Sequence, residues 1–190
     1  MKVHERGYFE DMEASSFHKC DEPLCDAITE MYDVETAVDI GCGDGQYTHN
    51  LIKAGIACVG FDGSPLTEKV SGGLCDVLDF SIPTDIGQFD LVLCLEVGEH
   101  IPAKYEQIFI ENLVRASKKH ICLSWAVEGQ AGWGHVNCRN NDYVVNEFTR
   151  RGFTYKEKSS MALRKASQIR RNKTDQEFPW FKNTIMVFEL

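Results

Sequence analysis

Apolar positions along the chain fall into short continuous runs separated by segments with helical spacing. Thr36–Ile40 is a short apolar run that stops at a glycine cluster beginning with Gly41. Gln46–Ala54 follows with Tyr47, Leu51 and Ala54 on one face, the period of an amphipathic helix, and Gly55 ends it. Ala57–Phe61 is again apolar and bounded by turn residues, and Gly73–Val77 is a weaker strand. Phe89–Leu95 (FDLVLCL) is nearly all apolar, as a strand covered on both faces should be. Lys104–Ala116 returns to a helical period through Ile108, Leu113 and Ala116, and His120–Ala126 (HICLSWA) predicts the next buried strand. Asp142–Arg151 is amphipathic through Val144, Val145 and Phe148. Phe153–Lys158 reads as a strand, Ser160–Arg171 as a helix and Thr184–Leu190 as a final strand.

Strands alternating with helices of this length imply parallel crossovers, a doubly wound α/β sheet with helices on both faces. No repeat, linker or low-complexity tract divides the chain, so residues 1–190 read as one domain. The core spans 36–190, and residues 1–35, outside the rhythm, are expected to form a helical lid or cap.

The chemistry concentrates at the strand ends. In Val38-Asp39-Ile40-Gly41-Cys42-Gly43-Asp44-Gly45-Gln46-Tyr47 a strand runs into closely spaced glycines and then opens a helix. Such a loop lets a ligand approach the backbone, and the helix N-terminus offers it unpaired N–H groups. The spacing departs from the dinucleotide fingerprint G-x-G-x-x-G, because Gln46 stands where the third glycine belongs. Asp39 sits badly beside a pyrophosphate and suits a ligand carrying an ammonium or sulfonium. Asp62 ends the second strand and can accept both hydroxyls of a ribose. Asp76 ends the third and could accept from an adenine amino group.

Composition narrows the setting. No apolar run approaches the ~18 residues of a membrane span, and the N-terminus lacks the apolar core of a secretory signal. The eight cysteines are scattered without a C-x-x-C pair. Cys58, Cys75, Cys94 and Cys122 lie in strand-like runs, where they act as small hydrophobes, so reduced thiols and a cytoplasmic location are expected. Residues 1–150 hold 25 acids and 11 bases, a net of −14, which argues against general nucleic-acid binding. Residues 151–173 hold one acid and eight bases, a net of +7.

The segment VDIGCGDGQY resembles the first motif of class I S-adenosylmethionine-dependent methyltransferases, VGFDGSP resembles the second, and FDLVLCLEVGEHIP is similar to the fourth-strand motif of that superfamily. The likeness covers about residues 36–126 and extends more weakly to the end. It implies a mostly parallel seven-stranded sheet with an antiparallel last strand. It also implies S-adenosyl-L-methionine as cofactor, with Asp39, Gly41, Gly43, Asp62, Gly63, Asp76, Val77, Leu95 and Glu96 as cofactor-binding residues.

Methyl transfer is an in-line displacement, with a base needed only when the acceptor carries a proton. Two segments at strand C-termini are candidates to face the acceptor. Glu96-Val97-Gly98-Glu99-His100 follows the fourth strand, and His100 has a near-neutral ordinary pKa. The glycine-rich loop 128–137 carries Trp133 and His135. His100, His135 and Glu96 are therefore the candidate catalytic residues. Glu96, Glu99, His100 and His135 together also resemble the set in metal-assisted O-methyltransferases of small RNAs and of ubiquinone synthesis. That set could hold Mg²⁺ or Zn²⁺, but four unconnected residues do not by themselves define a site, and no metal is assigned. His18 could reach over the cofactor if its segment is a lid. Phe178-Pro179-Trp180-Phe181 reads as anchoring for the last strand.

The expected function is methylation of a small-molecule acceptor, at oxygen, with no membrane partner. The basic residues Arg164, Lys165, Arg170, Arg171 and Lys173 would favour an acceptor bearing phosphate or carboxylate. Two rivals remain at this level: a nicotinamide- or flavin-dependent oxidoreductase on a related fold, which the glycine spacing and Asp39 oppose, and a non-catalytic cofactor-binding subunit of a methyltransferase complex.

Overall fold

Alternation along each central strand decides the architecture of this computed structural model, which describes residues 2–11, 20–168, 170–171, 176–177 and 180–190. In β1 (Thr36–Ile40), Val38 and Ile40 enter one apolar cluster while Ala37 enters another on the opposite face. β4 (Phe89–Cys94) divides Val92 and Cys94 from Leu91 and Leu93 in the same way. β5 (Ser117–Leu123) divides Ile121 and Leu123 from Cys122. Strands apolar on both faces must be covered on both. α4 (Glu106–Ala116) and α5 (Asn141–Thr149) cover one face through Phe109, Leu113, Val144 and Phe148. α1 (Glu22–Met31), α2 (Gln46–Lys53) and α6 (Glu157–Ala166) cover the other through Leu24, Ile28, Leu51 and Leu163. Each of these fully buried side chains contributes roughly 1.5–3 kcal/mol.

The remaining strands are β2 (Ala57–Asp62), β3 (Cys75–Val77), β6 (Thr154–Tyr155) and β9 (Met186–Glu189) in the main sheet, with a separate hairpin of β7 (Arg170–Arg171) and β8 (Gln176–Glu177). Short helices α3 (Thr67–Val70) and α7 (Trp180–Thr184) complete the set. The main sheet has seven strands in the order β3-β2-β1-β4-β5-β9-β6. β1 to β5 pair in parallel, and β9 runs antiparallel to both β5 and β6. The doubly wound sheet with an antiparallel last strand is thus present. Its consequence is geometric: Ile40, Asp62, Val77, Cys94 and Leu123 all end at one edge, and β9 begins there, with Met186 opposite Leu123.

Several local expectations are corrected. Residues 2–11 form a hairpin bridge between Val3 and Phe9 rather than a helix, leaving α1 as the helical element described in the N-terminal 35 residues. α1 opens where Asp21 caps it and Pro23 occupies its first turn. The last strand starts at Met186, because Trp180–Thr184 turns helical and drives Phe181 into the core. The helix expected from Ser160 begins at Glu157, cutting the strand before it to two residues. Cys58 is half-buried, unlike Cys75, Cys94 and Cys122. His18, Lys173, Phe178 and Pro179 lie outside the described residues. Among those described, no helix is long and apolar enough to cross a membrane.

Candidate functional site

The glycine loop turns tightly between β1 and α2. Gly41, Gly43 and Gly45 all have positive φ, and the Gly41 and Cys42 amides donate to the Phe61 carbonyl at 2.7 and 3.1 Å. Gly41 has a second reason to lack a side chain, since a Cβ there would meet Val97 at 2.2 Å. α2 begins after Gly45 with no side-chain cap, so its first N–H groups face the loop. Asp62, at the end of β2, accepts from the Gly43 amide at 3.1 Å and from the Ser64 amide at 2.8 Å. These contacts hold the carboxylate at the strand end beside Gly63. Asp39 lies buried beneath the loop, where its Oδ2 accepts from Thr48 Oγ1 at 2.7 Å, and burial pushes its pKa up to about 7. Asp76 and Val77 are exposed at the end of β3.

Glu96 stands across the cleft, after β4 and Leu95. It is the non-glycine residue with positive φ (55°) among those described. A conformation this uncommon persists only where the surroundings fix it. The Glu96 amide donates to Ser124 Oγ at 2.8 Å, and its carboxylate accepts from Gln130 Nε2 at 3.1 Å and Thr184 Oγ1 at 3.4 Å. Trp125 packs flat on Gly98, where a Cβ would lie 2.3 Å from the indole.

Glu99 is fully buried, and among the described residues neither of its carboxylate oxygens takes a hydrogen bond from a donor. Burial and the adjoining Glu96 carboxylate push its pKa well above the usual range; burial also raises that of Glu96. Two histidines complete the cluster. His100 Nδ1 lies 3.1 Å from the Gly134 carbonyl, and His135 Nδ1 lies 3.1 Å from that of Gln130. Each Nδ1 is thereby assigned as the donor, leaving each Nε2 as the lone-pair nitrogen. His135 Nε2 is 4.0 Å from Glu99 Oε1, and one ligand atom each from Glu99, His100 and His135 falls within 4.8 Å of the others. Burial lowers the pKa of His100 to about 4, so it is neutral at pH 7 and a weaker base than its residue type suggests.

The loop that carries His135 is tied down at its far end. Glu106 accepts from Asn137 Nδ2 at 2.9 Å, Arg139 Nε at 2.6 Å and the Tyr143 hydroxyl. The Val136 and Asn137 amides both donate to the Glu99 carbonyl at 2.9 Å. The structure thus joins Glu96, Glu99, His100 and His135, and adds Gln130, Ser124 and Thr184, which sequence reasoning missed. Only Gln130 carried a signal, as a polar side chain inside the glycine-rich loop. Trp133 is 62% exposed. Arg164 Nε donates to the Ile185 carbonyl at 2.8 Å, so it joins α6 to the start of β9.

The seven-stranded sheet with its antiparallel β9 is the Rossmann-like fold of S-adenosylmethionine-dependent methyltransferases. Residues 38–120 match the family described as "Methyltransferase domain". It is 35% identical over 110 residues to the chloroplastic tocopherol O-methyltransferase of Arabidopsis thaliana, covering 48% of this chain and 30% of that protein. It is 36% identical over 109 residues to the probable chloroplastic tocopherol O-methyltransferase of Oryza sativa subsp. japonica, covering 48% and 29%. The chain therefore spans about a third of the length of these curated relatives. Among solved structures, magnesium protoporphyrin IX methyltransferase from Synechocystis PCC 6803 with bound S-adenosylhomocysteine superposes with a TM-score of 0.60 at 16% identity, covering 97% of this chain and 96% of that one.

Proposed function

We propose that the protein transfers a methyl group from S-adenosylmethionine to an oxygen of a small-molecule acceptor. The observation that carries this is the pairing of the glycine turn with Asp62, whose carboxylate is held by loop amides beside Gly63. In this reading Asp62 accepts from the ribose hydroxyls, Asp76 and Val77 border the adenine, and Asp39 lies on the ammonium side. Gly41, Gly43, Gly63, Leu95 and Glu96 line the cofactor. Bound there, the cofactor would supply a methyl group for in-line transfer from sulfur to the acceptor oxygen, and His135 or Glu96 would take the hydroxyl proton. His100, with its low pKa, orients rather than takes the proton. Tritiated S-adenosylmethionine offered with a set of phenols, carboxylic acids and sugar phosphates tests this. Label transfer to an oxygen supports it, and transfer to none of them with intact cofactor binding favours the non-catalytic subunit.

A second reading rests on Glu99. A buried carboxylate with two unpartnered oxygens, grouped with one ring nitrogen each of His100 and His135, fits a divalent cation. Glu99, His100 and His135 would hold it, with Glu96 beside them. A cation there would bind the acceptor oxygen and lower its pKa. Chelator sensitivity of turnover, restored by Mg²⁺ or Zn²⁺, separates this reading from simple base catalysis.

The curated relatives are named as tocopherol O-methyltransferases, which supports a small-molecule acceptor and transfer to oxygen. We read the acceptor as anionic because bases are concentrated in residues 151–173, and the compartment as cytoplasmic from the unpaired thiols. An oxidoreductase is disfavoured by the glycine spacing, with Gln46 standing where the dinucleotide fingerprint has its third glycine.

A further inference from the structure

The hairpin of residues 2–11 lies outside every strand-end motif, yet it touches the loops after β2, β3, β4 and β5. Within it the His4 amide donates to the Tyr8 carbonyl at 2.8 Å, Gly7 to His4 at 2.9 Å, Glu10 to Lys2 at 2.9 Å and Arg6 to His4 Nδ1 at 3.3 Å. The Lys2 amide donates to Asp11 Oδ1 at 2.5 Å, and the Lys2 ammonium pairs with Glu10. Its position is set by contacts with the cleft. Gly7, at φ +101°, presses its backbone against the His100 carbonyl, where a Cβ would come within 2.1 Å. The Phe9 ring stands edge-on to His100 at 5.2 Å, and Val3 and Phe9 both abut Gly134, whose carbonyl faces His100 Nδ1. Arg6 forms an ion pair with Asp79, just past β3, at 2.9 Å. Tyr8, stacked on His4 at 4.4 Å, lies on Gly63; a side chain there would begin 2.8 Å from the Tyr8 Cβ.

Gly63 directly follows the acid assigned to the ribose, so an aromatic ring resting on it borders whatever Asp62 holds. We propose that Tyr8 is a cofactor-binding residue, and that the hairpin is a roof closing over the bound cofactor with Arg6 and Asp79 as its latch. This rests on the methyl-donor reading of the site. Because Gly7 and Phe9 flank Tyr8, the whole hairpin must shift for Tyr8 to leave Gly63, and the half-buried Arg6–Asp79 ion pair holds it against that shift. Cofactor exchange requires that shift.

The test is the release rate of S-adenosylhomocysteine from the full chain, followed by stopped flow. Tyr8→Ala should release it about tenfold faster, the scale of one aromatic contact. Tyr8→Phe, which keeps the ring, should restore the wild-type rate. Arg6→Ala should accelerate release about two- to fivefold, the range for an ion pair near the surface. The swap Arg6→Asp with Asp79→Arg should recover part of that. Amide exchange at Gly7 and Glu10 should slow when S-adenosylhomocysteine is bound. Wild-type release rates in both Tyr8→Ala and Arg6→Ala, with normal binding, overturn the roof alone. If Tyr8→Ala does not fold, an unchanged rate in Arg6→Ala is sufficient to do so. Failure of the wild-type chain to bind S-adenosylhomocysteine instead removes the cofactor reading, and the roof with it.

Discussion

The two sides of the cleft are built differently. On the cofactor side, each functional group is fixed from within 19 residues in sequence: Asp39 by Thr48, Asp62 by Gly43 and Ser64. On the acceptor side, Glu96 is held by Ser124, Gln130 and Thr184, from 28 to 88 residues away, and His100 by Gly134. The cofactor side is a loop with its acids satisfied. The acceptor side gathers two buried carboxylates that repel each other and keeps Glu99 without a donor among the described residues. A buried carboxyl group left without a donor lowers stability, and such groups with shifted pKa values cluster at functional sites.

That contrast can be broken from either side. The largest effect belongs to the acceptor side, where His135→Ala should cost roughly 10²–10⁴-fold in turnover with S-adenosylhomocysteine affinity unchanged in calorimetry. Equal turnover in the variant would reduce His135 to packing. From the cofactor side, Gly41→Ala places a methyl 2.2 Å from Val97 at positive φ. A strain of about 1–3 kcal/mol should appear as a 10- to 100-fold loss of cofactor affinity.

A smaller effect sharpens the electrostatic difference. The folded pKa of Asp39, about 7, lies above its ordinary 3.8, so the folded chain holds this proton longer than the unfolded one. Stability from this group is therefore present at low pH and is lost as pH rises from about 4 to about 7. Affinity for a cationic cofactor should move the other way, rising by up to about tenfold per pH unit below 7 and flattening above it. Asp39→Asn should flatten both the melting-temperature and the affinity profiles; a slope that survives this substitution would assign the titration elsewhere. The smallest effect is Thr184→Val, which removes one 3.4 Å bond to Glu96. Turnover should fall by no more than about threefold.

The same contrast explains what could be read from the sequence. Alternating runs such as FDLVLCL locate the central strands because burial on both faces leaves few polar positions. The glycine turn and Asp62 are legible because their geometry is local. Ser124 and Thr184 are invisible, since nothing in their neighbourhoods indicates that the fold brings them to Glu96, and Gln130 shows only as a polar side chain in a glycine-rich loop. The lowered pKa of His100 likewise comes from burial under the hairpin and the 128–137 loop, which no spacing encodes. The hairpin itself defeats the expectation of a helical cap: its residues pair across a turn, Val3 with Phe9, and pack on His100 and Gly63.

The central claim is that the ends of β1 and β2 hold a methyl-donor cofactor. Titration calorimetry of the wild-type chain and Asp62→Ala with S-adenosylhomocysteine and with NAD tests it most directly. The account predicts a single wild-type site for S-adenosylhomocysteine, weakened in Asp62→Ala by about 2–3 kcal/mol through lost bonds to a charged acceptor, and no heat with NAD. Tight NAD binding with no response to S-adenosylhomocysteine would contradict it.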